Sequence, residues 1–191
     1  MLCASDPLSR SIGLAAINAF WNHPTSTGDR QAIGFDRFEP PGDGLVIVGG
    51  FRDAARRLPH ARIVEREPKP GDIPVEEATP VIAGAKALVI TGQTLMNGSL
   101  ESLLRLSQPV KRRMLFGPSV TLSPVLLDHG LDELCGFAVW DHDAIERFIC
   151  ESGAMIMRDD LTQARLLCRP ESDNFTSCRC HTTFYDRKTT W

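Results

Sequence analysis

"LVIVGGFRDAARRLPHARIVERE", residues 45–67, decides the fold. Its first six residues are a β-branched apolar run stopped by two glycines, the pattern of a strand buried on both faces. The next eight, "FRDAARRL", space their apolar side chains as a helix does, and Pro59 closes that helix. "ARIVERE" is a second strand, ending in acid. The unit is strand, helix, strand.

The unit recurs toward the C-terminus. "IPVEEATPVIAGA" at 73–85 is helical, with a proline in its first turn and a kink or break expected at Pro80. "ALVITG" at 87–92 is a third strand, and "SLESLLRL" at 99–106 a third helix with Ser99 as its N-cap. "RMLFGPS" at 113–119 is a fourth strand. "SPVLLDHG" at 123–130 is a helix capped by Ser123, opened by Pro124 and stopped by Gly130. "ELCGFAVW" at 133–140 is a fifth strand, and "DHDAIERFICESG" a helix in which Asp143 and Glu146 have capping-box spacing. "AMIMRD" at 154–159 reads as a sixth, edge strand. Such alternation predicts an α/β protein: a Rossmann-like three-layer sandwich whose mostly parallel five- or six-stranded sheet has helices on both faces.

Toward the N-terminus, "SIGLAAINAFWN" at 11–22 is an amphipathic helix whose Ile12, Ala15, Ala16 and Ala19 suit contact with another surface. "DRFEPPGDG" at 36–44 is a turn-rich linker. Three segments follow: a helix and linker over 1–44, the Rossmann-like domain over 45–169, and a loose polar tail over 170–191.

The chain has 191 residues, 42% hydrophobic and 24% charged, the balance of a globular domain with extensions. No apolar run reaches the roughly 18 residues of a membrane span, and "MLCASDPLSR" has no secretory pattern, so a cytoplasmic protein is expected. The six cysteines, 3, 135, 150, 168, 178 and 180, then read as free thiols or ligands. A net charge of −3 argues against a nucleic-acid partner. The densest basic run, "KRR" at 111–113, reads as a solvated face.

In a parallel sheet of this kind, ligands bind beyond the carboxyl ends of the strands. The loops there are 49–51, 65–67, 91–99, 117–119 and 140–143. In "TGQTLMNGS" at 91–99, Gly92 and Gly98 allow close backbone approach, Thr91, Thr94, Asn97 and Ser99 offer polar groups, and the following helix start offers amides to an anion. The same residues also suit a plain Asn97-Gly98 turn. Gly117, Pro118 and Ser119 form either a second wall of the same cleft or a tight turn.

Gly49 and Gly50 resemble a truncated dinucleotide loop without the G-x-G-x-x-G spacing. Glu65 ends the second strand where a ribose-holding acid sits in such folds; it also suits a solvated acid paired with Arg66 or Lys69. "CRCH" at 178–181 offers Cys178, Cys180 and His181 as soft ligands for zinc or copper(I), or is an unstructured end. "DHD" at 141–143 offers hard oxygen ligands and the His142 imidazole on the functional edge, where Asp143 already serves as a cap. Serine-hydrolase elbows, phosphate-binding lysine loops and H-E-x-x-H are absent from the sequence.

The ordered segments "SIGLAAINA", "VIVGGF", "VEREPKPGDIP", "VITGQTLMNGSLESLL", "FGPSVTLSPVL" and "GLDELCGFAVWD" resemble the putative heavy-metal chelation family, over about residues 11–153. The resemblance implies a Rossmann-like domain preceded by an enolase N-terminal-like domain, with a cleft between them for metal chelation or cofactor synthesis. Matching positions are Gly49, Gly50, Glu65, Thr91, Gly92, Thr94, Asn97, Gly98, Ser99, Gly117, Pro118 and Ser119. Residues 1–44 are too few for that first domain, so a homodimer or a partner chain is expected to supply it.

Three functions follow. The first is binding of a small anionic ligand, a heavy-metal ion or a metal complex, with Glu65 or Asp141 as proton acceptor if a metal-insertion or lyase-type step occurs. The second is an enzyme using a nucleotide or S-adenosylmethionine. The third is a non-catalytic subunit docked through its first helix.

Overall fold

In the computed structural model, which describes residues 4–23, 35, 38, 44–51, 54–152 and 162–169, strand β1 (Leu45–Val48) divides its side chains between two cores. Leu45 and Ile47 enter one with Ala54, Leu58, Val89 and Met114; Val46 enters the other with Val64, Leu88, Ile90 and Leu115. Apolar burial on both faces is why the strands read as continuous hydrophobic runs. Each fully buried Val, Leu or Ile side chain contributes about 1.5–3 kcal/mol.

The remaining elements are α1 (Pro7–Trp21), α2 (Ala54–Arg57), β2 (Arg62–Glu65), β3 (Ile73–Pro74), a 3-10 turn (Val75–Glu77) and α3 (Ala78–Ala83), then β4 (Ala87–Thr91), α4 (Gln93–Asn97), α5 (Leu100–Leu106) and β5 (Arg112–Phe116), and finally α6 (Pro124–Asp128), β6 (Glu133–Val139), α7 (His142–Ser152) and β7 (Thr162–Cys168). They build one sheet in the order β3-β2-β1-β4-β5-β6-β7. The fold is the expected Rossmann-like α/β sandwich, with seven strands instead of five or six.

The two additional strands are β3, a pair of residues beside the end of β2, and β7, which runs antiparallel to β6 along its whole length. Leu166 and Cys168 of β7 join the core that holds Ile47, while Leu167 packs on the opposite one. The edge strand expected at 154–159 and the tail at 170–191 lie outside the described residues.

Several local expectations are corrected. α1 begins at Pro7, because Asp6 caps it by accepting the Ser9 N–H at 2.7 Å. The hydrogen bond from Ser9 and its hydroxyl together hold the Asp6 carboxyl below its ordinary range. Ser99 and Ser123 make no side-chain cap; α6 is opened by Pro124 alone. α7 is capped by Asp141, whose Oδ1 accepts the Ala144 N–H at 2.9 Å, so Asp143 falls in the first turn.

"KRR" is a solvated face only at Lys111. The Arg112 side chain, 16% exposed, pairs with the buried Glu133, and the Arg113 N–H donates to Asp132 Oδ2 at 2.8 Å. The acids that start β6 draw both arginines inward, which no feature of the basic run itself foretells. Cys150 is an exposed thiol, Cys135 and Cys168 are buried, and no helix among the described residues is long and apolar enough to cross a membrane.

Candidate functional site

The strand order reverses between β1 and β4, the position at which ligands commonly bind in sheets of this kind. Gly49, at φ 114°, and Thr91 meet at this point. A Cβ on Gly49 would come within 2.7 Å of the Thr91 Cβ and Cγ2. One step outward, a Cβ on Gly50 would lie 2.8 Å from Glu65 Oε2, so the carboxylate folds inward over the glycine. Glu65 Oε1 accepts the Arg66 N–H at 2.9 Å. Arg66 thus serves Glu65 through its backbone, and among the described residues no cation pairs with the carboxylate.

On the other side of β4, the 91–99 segment is a short helix and not the open loop its small polar residues suggest. Thr94 is 2% exposed and donates its hydroxyl to the Thr91 carbonyl at 2.7 Å. Asn97 Oδ1 accepts both the Ser99 N–H, at 3.0 Å, and the Ser99 hydroxyl, at 2.7 Å, bracketing Gly98 at φ 76°. The Gly92 N–H donates to Phe116 O at 2.9 Å, and the Gln93 N–H lies 3.4 Å from Thr91 Oγ1. Of these amides only that of Ser99 belongs to the helix start that the sequence offered to an anion, and Asn97 engages it at the surface.

Gly92 also brings the 91–99 and 117–119 segments together: a Cβ there would meet Val120 N at 2.8 Å and Ser119 C at 2.9 Å. α1 lies across both. Asn22 donates to Val120 O at 2.7 Å and accepts the Leu122 N–H at 2.9 Å, while the Thr121 hydroxyl donates to Asn18 Oδ1. Arg10 donates from Nε to Ala4 O at 2.5 Å and from Nη1 to Met96 O at 3.4 Å, which carries its charge to within 3.8 Å of where a Gly98 Cβ would stand.

Between α1 and these two segments runs an open cleft of about 360 Å³, lined by Ser11, Leu14, Ala15, Asn18, Met96, Pro118 and Ser119. Four of its seven lining residues come from α1, which the sequence reading treated as a docking element. The signal available for them is Ser11 and Asn18, polar residues seven positions apart that share one face with Leu14 and Ala15.

The candidate residues therefore separate into two groups. Gly49, Gly50 and Glu65 sit at the ends of β1 and β2; Pro118 and Ser119 line the cleft, with Thr91, Gly92, Thr94, Asn97, Gly98, Ser99 and Gly117 shaping the segments around it. Glu65 and Asp141 end strands four steps apart in the sheet, about 19 Å at ~4.8 Å per step, and do not share a site. Among the described residues no three His, Cys, Asp or Glu side chains gather to hold a metal ion. Cys178, Cys180 and His181 lie outside the described residues.

Residues 32–167 match the family model DUF364, described as "Putative heavy-metal chelation". That span begins after α1 and reaches all but the last residue of β7. A crystal structure of a protein of unknown function from the DUF364 family of Desulfitobacterium hafniense is similar, with 27% identity, TM-score 0.79, and 88% of this chain aligned to 72% of that one. A second, from Pyrococcus horikoshii, is 16% identical, with TM-score 0.72 over 87% of this chain and 70% of that one, and shares the fold. No curated protein matches the chain.

Proposed function

Because the chain belongs to the DUF364 family, we propose that it binds a small negatively charged organic ligand or metal complex in the cleft between α1, α4 and the 117–119 segment, in the service of metal or cofactor metabolism. The observation that carries this reading is the cleft itself. Its wall offers the Ser119 hydroxyl and the Asn18 amide beside an apolar surface of Leu14, Ala15 and Pro118, with the Arg10 cation near one end. A concave surface, mostly apolar, with a few convergent polar groups is the usual form of a small-molecule site.

The donors that line the cleft do not suit a bare heavy-metal ion. They comprise hydroxyls, one amide and the Met96 thioether, which already lies 3.0 Å from the Ser11 hydroxyl. Thiolates, imidazoles and carboxylates, the ligands that hold such ions, are absent from the lining. A metal would therefore arrive as cargo, with its charge already met by an organic chelator. Whatever a homodimer mate or second polypeptide adds would bear on the exposed side of α1, where Leu8, Ile12 and Phe20 are uncovered.

Mass spectrometry and metal analysis of protein purified under native conditions test the proposal. A small acid or its metal complex is expected to travel with the full chain, to be lost on Ala15→Trp, which fills the cleft, and to be retained when residues 170–191 are removed. Retention by Ala15→Trp, or loss with the tail, overturns the assignment to the cleft.

A further inference from the structure

We infer that the ends of β1 and β2 form a second binding site, for the vicinal diol of a ribose, as in a nucleoside or a nucleoside-derived group donor. The inference does not rest on the cleft reading, since Glu65 and Ser119 follow strands three steps apart, about 14 Å at ~4.8 Å per step.

Three observations carry it. The first is position. In a sheet that reverses between β1 and β4, the acid ending β2 stands beside the loop that leaves β1, where a carboxylate can take both hydroxyls of a sugar. The second is the carboxylate's posture. Glu65 is half-buried and folded over Gly50, occupying the space a side chain there would need. Its Oε1 is anchored by the Arg66 N–H, which leaves a lone pair on that oxygen, and Oε2 accepts no hydrogen bond among the described residues. Two oxygens with acceptor capacity, held in one orientation, match two adjacent O–H donors, and charge-assisted O–H···O⁻ bonds are strong. A solvated acid would instead point outward or pair with Lys69, which it does not.

The third is the surface beside it. Gly49 takes a left-handed φ and packs on Thr91, and Gly50 is exposed, so the backbone at the rim is bare. Phe51 follows directly, half-buried, with its ring 5.1 Å from that of Phe116 and stacked at 30°. Phe35 abuts both rings edge-on, at 5.3 and 5.1 Å. Phe35 is buried and Phe51 and Phe116 pack on the core around it, so this aromatic group holds the glycine rim in place beside the sugar site and leaves the half-buried Phe51 as the apolar residue nearest to it. The α2 helix has four residues and the loop lacks G-x-G-x-x-G, so a pyrophosphate finds no cradle here. The recognised unit is the nucleoside, without dependence on phosphate.

A single carboxylate with bare glycines is a poor cation site. The diol reading also makes a demand that a structural acid does not: discrimination between ribose and deoxyribose. Calorimetric titration of the full chain with the four ribonucleosides, their 2′-deoxy counterparts and S-adenosylmethionine tests it. At least one ribonucleoside or S-adenosylmethionine is expected to bind, and for a bound ribonucleoside the 2′-deoxy form binds tenfold or more weakly. Glu65→Gln is expected to weaken the ribose form tenfold and leave the deoxy form within about twofold, so that discrimination disappears. Gly50→Ala, whose Cβ displaces the carboxylate, is expected to do the same without altering residue 65. Absence of binding at millimolar nucleoside and S-adenosylmethionine, equal affinity for ribose and deoxyribose, or undiminished discrimination in both Glu65→Gln and Gly50→Ala overturns the inference.

Discussion

Arg112 and Glu133 meet across the start of two neighbouring parallel strands, Nε to Oε1 at 2.6 Å and Nη2 to Oε2 at 3.3 Å, with Glu133 only 3% exposed. The guanidinium also lies 4.1 Å from the centre of the Phe38 ring. Removing the cation while keeping the buried carboxylate is far more costly than removing both. Arg112→Ala is expected to lower the free energy of unfolding by about 3–5 kcal/mol. The double variant Arg112→Met, Glu133→Leu is expected to recover most of that loss, read from urea unfolding of both proteins.

Gly92 holds the two walls of the cleft together through the missing side chain. In Gly92→Ala the new carbon meets backbone atoms of Ser119 and Val120, which cannot swing aside as a flexible side chain would. A loss of about 1–3 kcal/mol is expected, seen as a lower thermal midpoint, together with altered amide shifts at residues 117–121.

Asn22 ties α1 to the sheet domain by serving one carbonyl and one amide of the 120–122 backbone. Asn22→Ala leaves Leu122 N–H and Val120 O without this partner, a loss of about 1–3 kcal/mol. Hydrogen exchange is expected to accelerate at Leu122 and through the last turn of α1, with protection in β1 and β4 unchanged.

Asp6 gives α1 a pH dependence. Its folded carboxyl titrates below the ordinary 3.8, held down by the Ser9 hydrogen bonds and aided by Arg10. The cap's contribution is therefore complete above that ordinary value and disappears as pH falls through the lower folded one. An NMR titration is expected to place the Asp6 midpoint below 3.8, with the Ser9 amide shift moving in parallel. A midpoint at or above that value removes the cap from the account of α1.

Much of this molecule was legible in its residues because, among the described residues, six strands run parallel and the central ones, β1, β4, β5 and β6, carry runs of buried side chains. The runs at 45–50, 87–92 and 133–140 carry that imprint directly. β7 was not legible: it places Arg165, 6% exposed, opposite Gly136, so a charge interrupts what would otherwise alternate. β3 is two residues long and includes a proline, too short for any periodicity. The site was harder still. Small polar residues at 91–99 suggested an open loop, yet Thr94 turns inward and the exposed Asn97 folds back on Ser99, closing a short helix that positions Met96 at the cleft. The contribution of α1 depends on contacts such as Asn22 with Leu122, separated by 100 positions, which no local pattern encodes.

The two margins of the sheet are unequal in what they allow. β3 presents just Ile73 and Pro74 at one border, and proline has no N–H to offer a newcomer. That border is a dead end for templated growth. Among the described residues the opposite border is β7, whose seven residues offer a far longer line of backbone groups than β3 does.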